Sequence, residues 1–75
     1  MDIRIGVTDS PREIALELAD DLDRAALKEQ VTAALAGDTP ALWLTDAKGK
    51  EVAVSSARLA YVELAAEGNN PIGFG

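Results

Sequence analysis

The segment Leu42-Trp43-Leu44-Thr45-Asp46-Ala47-Lys48-Gly49-Lys50-Glu51-Val52-Ala53-Val54 constrains the fold more than any other part of the chain. Two runs in which every second residue is aliphatic flank a short polar stretch, and such alternation marks strands with one buried face. A loop of Ala47, Lys48 and Gly49, with Gly49 in the left-handed conformation, sets Asp46 opposite Lys50, Leu44 opposite Val52, Trp43 opposite Ala53 and Leu42 opposite Val54. The aliphatic pairs then share one face. Trp43 and Ala53 fall on the other.

The same alternation opens the chain. Ile3, Ile5 and Val7 are interleaved with Asp2, Arg4 and Gly6, which predicts a first strand. After the turn Thr8-Asp9-Ser10-Pro11, residues Ile14, Leu16 and Leu18 alternate with Glu13, Ala15, Glu17 and Ala19. Two readings compete there. Ser10-Pro11-Arg12-Glu13 has the form of a helix start, with Ser as cap, Pro at the first helical position and Glu closing a capping box. A helix, however, would turn Leu16 away from Ile14 and Leu18, whereas a strand turns all three inward, so a second strand is favoured.

A helix is expected after Asp23, which suits the N-cap and is bracketed by Leu22 and Leu27 as a hydrophobic staple. Leu27, Val31 and Leu35 recur at four-residue spacing with Ala34 beside them, and Gly37 is placed to end the helix. The hairpin around Gly49 follows. A turn at Ser55-Ser56-Ala57-Arg58 leads into a last strand, Leu59 to Ala65, with Val62 and Leu64 inward and Tyr61 and Glu63 outward. The predicted organisation is one α+β domain over residues 1–66, in the order ββαβββ, followed by a flexible tail over 67–75. In pattern it resembles the ubiquitin-like β-grasp, in which one helix packs on a mixed five-stranded sheet. The alternative is an antiparallel meander for the last three strands.

Composition removes most chemistry. The chain of 75 residues has neither Cys nor His, so a disulfide framework, a thiol nucleophile, Cys-ligated zinc and an imidazole base are all excluded. Ser10, Ser55 and Ser56 would need a Lys or a carboxylate to activate them, and turn formation explains them more simply. Asp20, Asp21 and Asp23 lack the spacing of a calcium loop and fit a helix N-terminus, where carboxylates are favoured by the helix dipole. Thirteen acidic against seven basic residues give a net charge of -6, which argues against nucleic acid or an acidic membrane as partner. With charges in the first residues and no run near the ~20 apolar residues of a membrane span, a cytoplasmic location is expected.

The outer face of the sheet is the oddity. A surface that should be polar is expected to carry Trp43, Tyr61, Ala15, Ala53 and Ala65. Long Glu and Arg stems could cover such residues, but aromatic and small side chains together also suit an interface core. The tail ends in Gly73-Phe74-Gly75, and Phe74 departs from the slim Gly-Gly end of ubiquitin-like sulfur carriers. Ile72 and Phe74 are better read as apolar residues that fold back on the domain or anchor in a partner groove.

Ile3-Arg4-Ile5-Gly6-Val7-Thr8-Asp9-Ser10-Pro11-Arg12-Glu13, Ala57-Arg58-Leu59-Ala60-Tyr61-Val62-Glu63-Leu64 and the closing Gly73-Phe74-Gly75 resemble a family of short acidic actinobacterial proteins of unknown function, sometimes labelled ATP-binding. That resemblance implies β-branched and aromatic residues where this chain has Ile14 to Leu18, in keeping with a strand. It implies no mechanism. The expected function is that of a non-enzymatic interaction module, self-associating or docking to a larger protein through Trp43, Tyr61, Ala53, Ile72 and Phe74, without a cofactor. The alternative is a small nucleotide-binding protein that sets Arg4, Arg12 or Arg58 on the phosphates of ATP.

Overall fold

The computed structural model of the chain describes residues 1–66. Its elements are β1 (Asp2–Val7), β2 (Glu13–Glu17), α1 (Arg24–Leu35), β3 (Ala41–Thr45), β4 (Glu51–Ser55) and β5 (Leu59–Leu64), with a 3-10 turn at Ser56–Arg58 before β5. The element order is the one the alternation predicts. Residues 13–17 are a strand rather than a helix, and Leu16 and Leu18 are both buried.

The expected single five-stranded sheet is not formed. Among the described residues the strands make two sheets, one ordered β2-β1-β5 and the other a β3-β4 hairpin. Every pairing is antiparallel, including β1 with β5, which removes the mixed β-grasp-like sheet. It also removes the meander, because β5 leaves β4 and crosses to β1. Several local features account for the split. The 3-10 turn swings the chain out of the hairpin, where a tight two-residue turn would have kept β5 beside β4. On β1, Arg4 stands opposite Glu63 and Gly6 opposite Tyr61, giving β5 an opposite-charge pair and a place for its ring. On the β3 side, Gln30 of α1 donates Nε2–H to the Trp43 carbonyl at 3.0 Å, so a helix side chain occupies that edge. Among the described residues, the one backbone bond from the hairpin to the first sheet is donated by Ala47 N–H to the Glu17 carbonyl at 2.7 Å.

One core joins the layers. Ile3 and Ile5 of β1, Leu16 and Leu18 from the β2 side, Leu42, Leu44 and Val54 of the hairpin, Leu59 of β5 and Leu27, Val31 and Ala34 of α1 are its buried members. Asp23 caps α1 as expected, its carboxylate accepting from Ala26 N–H at 3.1 Å. At the other end Gly37 takes φ +82, Gly37 N–H donates to the Ala34 carbonyl and Asp38 N–H to the Ala33 carbonyl, the paired closure of a Schellman motif. The predicted stripe is corrected at its end. Leu35 is 47% exposed and Ala34 is fully buried, because at 3.6 residues per turn a strict four-residue stripe drifts off the buried face.

The hairpin has the predicted register. Leu42 pairs with Val54, Trp43 with Ala53 and Leu44 with Val52. Gly49 has φ +90, and Asp46 Oδ1 accepts from Lys48 N–H at 2.9 Å and Lys50 N–H at 2.8 Å, so the loop is closed by a carboxylate as well as by its backbone. Those two amides hold the Asp46 carboxyl below its ordinary pKa, with the Lys50 bond the largest cause.

Candidate functional site

Trp43 projects from the outer face of β3 and is 59% exposed. Its direct cross-strand neighbour, Ala53 on β4, is exposed as well and has too small a side chain to cover the indole. Outward-facing Ala41 and Thr45 on β3, with Glu51 and Ser55 on β4, complete that face. The patch is an aromatic ring on a bed of small residues with a single carboxylate at one end.

Tyr61 is not on the same sheet as Trp43. It lies on β5, on the outer face of the three-stranded sheet, beside Gly6 of β1. An added Cβ at Gly6 would fall 2.6 Å from Tyr61 Cδ2, so the ring rests directly over the glycine backbone. The Tyr61 hydroxyl donates to the Glu13 carboxylate on β2, two strands away. That bond, followed by partial desolvation and the Glu13 charge, raises the phenol pKa above its ordinary value. The ring therefore straps three strands together. Gly6 was the sequence signal for this, since a lone glycine inside a strand pattern marks close approach by another group.

The three arginines lie on three different segments. Arg4 stands mid-strand on β1 and lines a shallow depression of about 190 Å³ with Asp2, Glu63, Leu64 and Ala65. Two carboxylates beside it oppose a phosphate. Arg12 is in the turn before β2, and Arg58 ends the 3-10 turn with its carbonyl accepting from Thr8 N–H at 2.8 Å. Of the serines, Ser10 Oγ accepts from Arg12 N–H at 3.3 Å as a turn residue, and Ser56 Oγ is occluded and has no hydrogen-bond partner among the described residues.

Asp20 pairs with the Met1 amino group at 2.8 Å, which lowers the carboxyl pKa and raises that of the amine, and Asp23 is the helix cap. Among the described residues no group of three or more Asp or Glu is placed to hold a metal ion. No helix there is long and apolar enough to cross a membrane. Ile72 and Phe74 lie outside the described residues, as does the tail reading built on them.

The described residues thus have an α+β arrangement in which the most exposed large apolar side chain is Trp43. The family model described as a protein of unknown function (DUF3107) matches residues 1–75, and the chain belongs to that family. No curated protein matches it. The family description assigns no activity, ligand or partner.

Proposed function

We propose that the protein is a non-enzymatic interaction module that works through the outer face of the β3-β4 hairpin, by self-association or by docking to a larger protein. The observation that carries this reading is the exposure of Trp43 beside Ala53. An indole held on a rigid hairpin presents a large apolar area that costs little side-chain entropy to immobilise, which is why aromatic residues dominate interface cores. The lack of Cys and His supports the non-enzymatic part, because it removes the thiol nucleophile and the imidazole base.

The test is size-exclusion chromatography with light scattering on the wild type and on Trp43→Glu, followed by affinity capture with each. The wild type is expected to show a concentration-dependent mass above 7.9 kDa, or to retain a partner that Trp43→Glu loses. A monomer that captures the same proteins with and without Trp43 would overturn the reading. A Trp43 fluorescence change together with a higher Tm in millimolar ATP and magnesium would favour nucleotide binding instead.

A further inference from the structure

We propose that a second copy of this chain pairs with the free edge of β4, antiparallel and centred on Ala53, so that two hairpins join into a four-stranded sheet. The proposal rests on the reading of the Trp43 face and names its partner.

The hairpin ladder sets which backbone groups are available. Asp46 N–H bonds the Lys50 carbonyl and Ser56 N–H the Pro40 carbonyl, and hydrogen-bonded pairs alternate between those two. Trp43 and Ala53 therefore form a non-hydrogen-bonded pair within the hairpin, and the N–H and C=O of Glu51, Ala53 and Ser55 point away from β3. No bond from these groups to another element is found among the described residues. The β4 edge also lacks the usual guards. It has no proline, no lysine and no bulge, and its only charge is Glu51 at one end.

The strand is close to palindromic, Glu51-Val52-Ala53-Val54-Ser55, and a two-fold interface requires such self-complementarity. Centred on Ala53, an antiparallel pair sets Ala53 against Ala53 of the second copy, Val52 against Val54, and Glu51 against Ser55. All five residues are paired and no like charges meet. A shift of the centre by one residue in either direction leaves part of the strand unpaired, and centring on Glu51 brings two carboxylates together. On the outer face the row across four strands becomes Trp43, Ala53, Ala53, Trp43, so each indole borders the small residues of the new seam.

The β2 and β3 edges fit a second copy less well. On β2 the equivalent two-fold about Ala15 would set Glu13 against Glu17 twice, and the Glu17 carbonyl is already taken by Ala47. The β3 edge is held by Gln30, which bonds the Trp43 carbonyl at 3.0 Å. The net charge of -6 per copy opposes association at low ionic strength, so added salt should strengthen the dimer.

The experiment is sedimentation of the full chain over a concentration series, with Ala53→Pro, Ala15→Pro and Trp43→Glu alongside. Proline at position 53 removes only an outward N–H and spares the hairpin ladder. The wild-type dimer is expected to weaken at least tenfold in Ala53→Pro and to be unchanged in Ala15→Pro. Because the chain has no native cysteine, Ala53→Cys supplies a second readout should the proline variant fail to fold. Facing residues of a hydrogen-bonded antiparallel pair stand about 5.5 Å apart at Cα, within disulfide reach, so Ala53→Cys should oxidise to a dimer faster than Ala15→Cys. A dimer that persists in a folded Ala53→Pro, or equal oxidation rates at the two positions, overturns the β4 seam. If Trp43→Glu nevertheless dissociates that dimer, the interaction reading itself stands. A wild type that stays monomeric at millimolar concentration in high salt also overturns the seam and leaves partner capture as the test of the Trp43 face.

Discussion

Gly6→Ala is expected to destabilise this protein, and to do so only while Tyr61 is present. Gly6 has no positive φ, so alanine meets no backbone strain there. Its Cβ does meet the ring, 2.6 Å from Tyr61 Cδ2, where carbon atoms relax to about 3.5–4.0 Å apart. The ring carbons Cε2 and Cζ lie closer still, so the ring must retreat by about 1.5–2 Å, and because its hydroxyl is tied to Glu13 the retreat loosens that bond too. Overpacking of this kind costs about 1–3 kcal/mol, against which alanine recovers about 0.5–1 kcal/mol of the entropy that glycine loses in a strand. The net loss is up to about 2.5 kcal/mol out of a total near 4–11 kcal/mol for a chain of this length, or as much as roughly 10–20 °C in Tm. Urea unfolding of the wild type, Gly6→Ala, Tyr61→Ala and the double variant measures the coupling directly. With Tyr61 truncated, Gly6→Ala should become stabilising by about 0.5 kcal/mol. An effect of the same sign and size in both backgrounds would refute the account of the ring resting on the glycine.

Further outcomes follow from the core and the loop. Leu42→Ala, at a residue 1% exposed, is expected to cost about 2–5 kcal/mol in denaturant midpoint experiments, while Leu35→Ala, at the exposed end of the helix, should cost under about 1 kcal/mol. The Asp46 carboxyl should titrate below its ordinary value when followed by carbon NMR. Because its folded pKa is lowered, its contribution to stability is complete above the unfolded value of 3.8 and is lost as pH falls through the folded one. Asp46→Asn should remove that part of the acid sensitivity. Tyr61 runs the other way: its raised folded pKa means a contribution that is complete below the unfolded value of 10.0 and lost as pH rises through the folded one, read by ultraviolet difference absorbance.

Local structure was written plainly in the chain, and neighbourhood was not. Alternation identifies which side chains of a strand face inward, and Asp23, Gly37 and Gly49 mark where the helix and hairpin begin or end, so the elements and the hairpin register could be read directly. Nothing in a period-two pattern says which strand lies beside which. The placement of β5 against β1 sets Tyr61 over Gly6 and pairs Ile3 with Leu64, residues from distant parts of the chain. The candidate site shows the same division. Exposure of Trp43 and Tyr61 follows from parity, but their separation onto two sheets follows from topology, which left only Trp43 with Ala53 as a single surface.

The β1-β5 ladder joins Ile3 to Leu64, so the central strand of the larger sheet stays half-paired until almost the last described residue is in place. On the ribosome, the β1-β2 hairpin, the helix and the β3-β4 hairpin can each form as they emerge, but none of them closes the core. Closing so long a loop is entropically expensive and slow relative to local hairpins, which makes this short protein a non-local folder. Shortening the chain before β5 would leave β1 as an open edge and Ile3 and Ile5 without their cover, converting a folded domain into a fragment prone to pair with other strands.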